Sequence, residues 1–159
     1  MYKEHHQKNN RNFQNQKEFQ REDTEIKSIL TDIGQLSMLK YLDTKKFYDE
    51  KGYADLLATK LGKMKTSQLR KFFGEIKLIE NKLSGGESWK NIETDFYQLK
   101  PRLAYASGRK LIPDEFYDVV RITLNKVDIG SDIEKKDNFK MLVKFLEAVV
   151  AYHKFRNKD

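Results

Sequence analysis

The sequence predicts an all-α protein, a compact bundle of five to six helices with a flexible N-terminal tail. Three observations carry the prediction. Apolar residues recur at helical spacing from about Thr24 onward, no alternating run is bounded by tight hairpin signals, and caps and glycines fall where the apolar stripes begin and end. A length of 159 residues is that of one domain, so residues 24 to 159 read as a single helical domain. With 35% of residues charged and 38% hydrophobic, that domain carries a wide solvated surface around a modest core.

Residues 1 to 23, MYKEHHQKNNRNFQNQKEFQRED, stand apart. They are rich in Asn, Gln and charge, and Tyr2, Phe13 and Phe19 are too scattered to offset the entropy of ordering, so the segment is expected to be disordered. Its 5 basic and 4 acidic residues nearly cancel, which makes it a weak arm for a polyanion.

The first helix is expected to be short, from about Glu25 to Thr31, with Ile26, Ile29 and Leu30 on one side and a break at Gly34. The second is expected from Thr44 to Leu61, with Asp43 as N-cap and Phe47, Tyr48, Leu56, Leu57 and Leu61 as apolar contacts. Gly52 is a candidate interruption and Gly62 a suitable stop. The third has the clearest period: Thr66 as cap, then Leu69, Phe72, Phe73, Ile76, Ile79 and Leu83 in one stripe, ended by Ser84, Gly85 and Gly86.

The fourth helical stretch, Ser88 to Arg109, puts Trp89, Ile92, Phe96, Leu99 and Leu103 on its core side. Pro101 lacks a backbone donor and is expected to kink or divide it at Lys100. Pro113 then opens a fifth helix, with Asp114 and Glu115 complementing its dipole and Phe116, Val119, Val120 and Leu124 as core. The last begins at Ser131, which forms a capping box with Glu134, and runs through Phe139, Leu142, Val143, Leu146, Val149 and Val150. His153 lies on the apolar side of that helix and reads as a partly buried, hydrogen-bonded residue.

The net charge of +7 is local. Residues 60 to 110 hold 12 Lys or Arg against 5 Asp or Glu, while the rest of the chain holds 19 against 19. A clustered excess creates a field that attracts polyanions, which makes nucleic acid the leading partner class. An anionic membrane surface would favour Trp, Phe and Leu along a lysine-rich helix with nothing else to pack on, and that is not the pattern here.

Within the basic stretch, Arg70, Gly74 and Lys77 share a flank of the third helix away from its apolar stripe, with Lys71 further round. Without a side chain at Gly74, a ligand backbone could approach between two cations. Ordinary solvated charges would give the same pattern. Arg102, Tyr105 and Arg109 recur at i, i+3 and i+7, an arrangement in which guanidinium groups grip phosphate oxygens and a ring stacks on a base or ribose. Lys100 and Lys110 add charge nearby. The alternative is that Tyr105 is packed at a helix interface and the arginines pair with carboxylates.

No constellation for catalysis is present. Two of the three histidines are adjacent in the tail, HExxH, GxSxG and phosphate-loop patterns are absent, and the basic stretch is depleted of the acids that a two-metal nuclease needs. Cysteine is absent, which excludes disulfides and thiolate metal sites and suits a reducing cytoplasm. No apolar run approaches the roughly 20 residues of a membrane span, and the chain opens on MYKEHHQKNN instead of an export signal. The expected protein is cytoplasmic and not an enzyme, with no cofactor, no metal and no membrane partner.

The segments TSQLRKFFGEIKLI (66 to 79), LKPRLAYASGR (99 to 109) and FLEAVVAYHKF (145 to 155) resemble the best-marked stretches of the small Csm-type subunit of type III-A CRISPR-Cas effector complexes. Order and spacing agree over roughly Thr24 to Phe155, and LKPRLAYASGR is the most specific. The resemblance implies a compact helical protein without nuclease residues. It would stack in several copies along guide RNA and target RNA, beside the other subunits, and touch RNA backbone without reading sequence. It places the family's basic positions at Arg70, Lys71, Lys77, Lys100, Arg102, Arg109 and Lys154. With Tyr105 and Lys110, these form the candidate RNA-binding set. Residues 1 to 23 depart from the family core and inherit nothing. A helical adapter that binds only protein, with no direct RNA role, remains the competing reading.

Overall fold

Every long apolar stripe in the sequence needs a partner surface, and the last helix supplies most of it. A computed structural model describes the backbone of residues 2–62 and 64–157, and the side chains from Phe13 onward except those of residues 19, 22, 63, 158 and 159. The helices are α1 (Tyr2–Gln35), α2 (Thr44–Tyr48), α3 (Tyr53–Leu61), α4 (Thr66–Ser84), α5 (Trp89–Gly108), α6 (Asp114–Val127) and α7 (Asp132–Arg156), with a 3-10 turn at Leu39–Tyr41. The bundle is all-α, as the periodicity requires, and among the described residues there is no strand.

Helix α7 is apolar on several sides because it touches α3, α4, α5 and α6 in turn. Phe139, Leu142, Val143, Phe145, Leu146 and Val149 are all buried along it. Phe139 closes a ring cluster with Trp89 and Phe96, at centroid distances of 6.3 and 6.2 Å, while Phe145 meets Phe47 edge-on at 4.6 Å. The Ser131 and Glu134 capping box forms as expected and fixes the start of α7. Buried Asn138 joins three elements: its Oδ1 accepts from the Lys40 N–H at 2.9 Å and its amide donates to the Val127 and Ile129 carbonyls, each at 3.2 Å.

Four sequence expectations change. Helix α1 is longer than Glu25 to Thr31 and passes through Gly34, because Ile26, Ile29 and Ile33 form one buried stripe against α6. Gly34 there permits close packing, since a Cβ would sit 3.3 Å from the Ile122 side chain. The helical backbone also extends back through residues 2–23. The described side chains from Phe13 to Arg21 are exposed and that of Asp23 is half-buried, while those of residues 1–12, 19 and 22 lie outside the described residues.

The expected Thr44 to Leu61 helix is two helices, broken at Asp49–Gly52. Asp43 caps the first, accepting from the Lys45 and Lys46 amides. The chain turns so tightly at Gly52 that a Cβ would come within 2.6 Å of the Lys46 carbonyl oxygen. Thr66 is the first helical residue of α4 and not its cap: it is buried against His153, with Oγ1 3.4 Å from Nδ1. Burial of His153 agrees with the structural role expected for it. Finally, Pro101 does not divide α5, which runs unbroken from Trp89 to Gly108. Leu99 and Leu103 stay buried on either side of it, and Pro101 itself is exposed, where water can serve the carbonyl that loses its donor.

Candidate nucleic-acid interface

Helices α4 and α5 form an antiparallel hairpin through the turn at Gly85 and Gly86. The Glu75–Arg102 pair at 3.0 Å joins them near one end and the Lys82–Asp95 contact at 2.6 Å near the other. Their inner stripes, Leu69, Ile76 and Ile79 on α4 and Trp89, Ile92, Phe96, Leu99 and Leu103 on α5, are buried. The hairpin therefore presents its remaining faces outward; its two helices hold 7 Lys or Arg against 4 Asp or Glu, and Lys60, Lys63, Lys65, Arg109 and Lys110 flank them.

Between the start of α4 and the end of α5 lies a groove of about 580 Å³. Phe72, Ala106, Leu111 and Ile112 give it an apolar floor, and Lys71, Arg102 and Tyr105 stand at its rim. Tyr105 is 64% exposed, which rules out the alternative that it is packed at a helix interface. Arg109 approaches it from one side: its Nη1 lies 3.5 Å from the phenolic oxygen and its guanidinium carbon 5.8 Å from the ring centroid. Arg102 turns away from the ring toward Gln98, at 3.3 Å, and Glu75. The Glu75 Oε2 that faces Arg102 is buried and receives no aligned hydrogen bond.

The structure thus brings together Lys71, Arg102, Tyr105 and Arg109, with Arg70 exposed one residue away on α4. Among the described residues Arg70, Lys71 and Arg109 make no ion pair. Gly74 faces open space, and nothing lies within 4 Å of where its Cβ would be. Lys77 is committed elsewhere. It is bound by Glu80 of its own helix and by Glu147 of α7 at 3.1 Å, and these carboxylates hold its ammonium above the ordinary lysine value. The flank of Arg70, Gly74 and Lys77 therefore offers one uncommitted cation where the sequence pattern suggested two.

Lys100 lies on the other side of α5, over the Tyr97 ring at 5.8 Å, and lines a separate hollow with Tyr117 and Arg121 of α6. Lys110, in the left-handed backbone region, pairs with Asp114 at 3.6 Å. Lys154 is exposed on the last turn of α7, the turn whose His153 packs on Thr66. Sequence reasoning did not find Glu75, Glu147 or the floor of the groove. Glu75 does not pair with Lys71 at i−4 of its own helix but with Arg102, which only the packing of α5 on α4 brings to it. Nor was Glu147 findable, because only the packing of α7 on α4 brings it to Lys77.

Among the described residues no group of three or more His, Asp or Glu side chains could hold a metal ion, and no helix is long and apolar enough to cross a membrane. Fold and surface together define a small helical protein whose distinctive feature is a basic hairpin face. The family model of Csm2 Type III-A matches residues 44–159, and the chain belongs to that family, the small subunit of the type III-A CRISPR effector complex. The other subunits of that complex are its partners. No curated protein and no solved structure matches the chain.

Proposed function

We propose that this small subunit contacts the backbone of guide RNA and target RNA through the outer face of the α4–α5 hairpin. It stacks there in several copies along the effector complex and performs no catalysis. The observation that carries the reading is the coincidence of the local charge excess with exposed cations that make no ion pair: Lys71 lines an open groove with Tyr105, Arg109 lies against the Tyr105 ring, and Arg70 is exposed beside Lys71 on α4. Guanidinium and ammonium groups there meet phosphates without reading base edges, and repetition along a filament multiplies a contact that is weak in one copy. Residues 24 to 159 act as the single RNA-engaging domain in the cytoplasm, with residues 1 to 23 outside it.

Labelled single-stranded RNA titrated across a salt series tests this. Binding is expected to be weak and to fall steeply with salt, with a log–log slope of about −0.7 per phosphate neutralised, and no cleavage is expected with Mg²⁺ or Mn²⁺. Replacing Arg102 and Arg109 together by Ala is expected to weaken binding without lowering the thermal midpoint, because both side chains are at the surface. Absence of binding at low salt would favour the protein-only adapter.

A further inference from the structure

We infer that the groove between α4 and α5 is a pocket for one unstacked nucleobase, so that the hairpin holds RNA by a base as well as by phosphates. The inference rests on the RNA-contacting reading above and deepens it. Phosphate contacts need only cations at a surface, and this site has more than that. Its floor of Phe72, Ala106, Leu111 and Ile112 is apolar, and its volume of about 580 Å³ is ample for a purine. At its edge Tyr105 is 64% exposed, with Arg109 against the ring.

Three features select a nucleotide over other occupants of an apolar groove. Lys71 and Arg102 stand on opposite helices at the rim, where the phosphates flanking an inserted base would lie. A single exposed aromatic ring is the usual platform for an unpaired base, and Arg109 against its edge extends the platform with a second flat, cationic surface. Glu75 lines the same groove and holds Arg102 at 3.0 Å, so an acidic peptide that met the cations would bring a second carboxylate toward it.

The full-length protein can be titrated at low salt with a short labelled RNA of alternating A and C, and with the same ribose-phosphate chain lacking bases. The base-bearing RNA is expected to bind about tenfold more tightly, as one base stacked on one ring predicts. Tyr105→Leu is expected to remove that difference, and Tyr105→Phe to retain it. Equal affinity of wild-type protein for the two chains, with a steep salt dependence, would overturn the base pocket and leave backbone binding standing. No binding of either chain would overturn both. Self-association of the RNA-free protein that Tyr105→Leu abolishes would assign the groove to a second copy instead.

Discussion

The two flanks of α4 carry the same kinds of residue and do different things. Toward α7, Lys77 lies between Glu80 and Glu147, half-buried, and its charge is spent on holding two helices together. Toward α5, Glu75 holds Arg102 across an open apolar groove, while Lys71 in that groove and Arg109 against the Tyr105 ring make no ion pair, so positive charge is left over for a ligand. A count of lysines and arginines along the helix cannot distinguish these flanks. What distinguishes them is which neighbouring helix supplies carboxylates.

The largest effects should come from the core that sets the two flanks apart. Phe139→Ala removes a fully buried ring of the Trp89 and Phe96 cluster and is expected to cost about 3–5 kcal/mol in urea unfolding. Phe72→Ala should cost less, about 1–3 kcal/mol, because Phe72 is only half-buried at the groove floor, with Phe116 as its ring neighbour at 6.1 Å. Equal costs for the two would mean that the groove is closed in solution.

A change at the cap is smaller. Glu134→Ala breaks the capping box and is expected to lower stability by about 1 kcal/mol. The two charged flanks can then be compared directly by RNA titration. Lys71→Ala should reduce the salt slope by about 0.7, whereas Lys77→Ala should leave it unchanged, since the Lys77 ammonium is already neutralised. If Lys77→Ala lowers the slope as much as Lys71→Ala, the distinction between the flanks fails.

The smallest effect is on acid stability. The Ser131 backbone N–H, followed by Lys40, holds the Glu134 carboxyl below its ordinary value, and the Tyr53 hydroxyl does the same for Asp32. A depressed folded value means that each contribution is complete above the usual carboxylate range and is lost as pH falls through the lower folded value. Melting temperature should therefore decline on acidification below about pH 4, and less steeply in Asp32→Asn.

Much of the scaffold was legible because helices announce themselves locally. The stripe from Leu69 to Leu83, the box at Ser131 and Glu134, the cap at Asp43 and the stops at Gly62 and Gly86 all act within one or two turns. The failures were equally physical. Pro101 breaks a local rule, but buried Leu99 and Leu103 hold α5 together across it. Gly34 looks like a stop and is instead a point of close approach to Ile122 on α6. In the candidate site, the face of Arg102, Tyr105 and Arg109 was readable from i, i+3 and i+7 spacing, because that is a property of one helix.

The sequence by itself determined the helical class, the single basic stretch and the family, since these rest on composition, period and local motif. Only the tertiary structure decided which cations remain available and that Tyr105 borders a groove with Phe72 beneath it. Ion pairing depends on contacts between residues far apart in the chain, such as Lys77 with Glu147, and the groove on bringing Phe72 and Ala106 into one lining, and helical period says nothing about which helix will lie alongside.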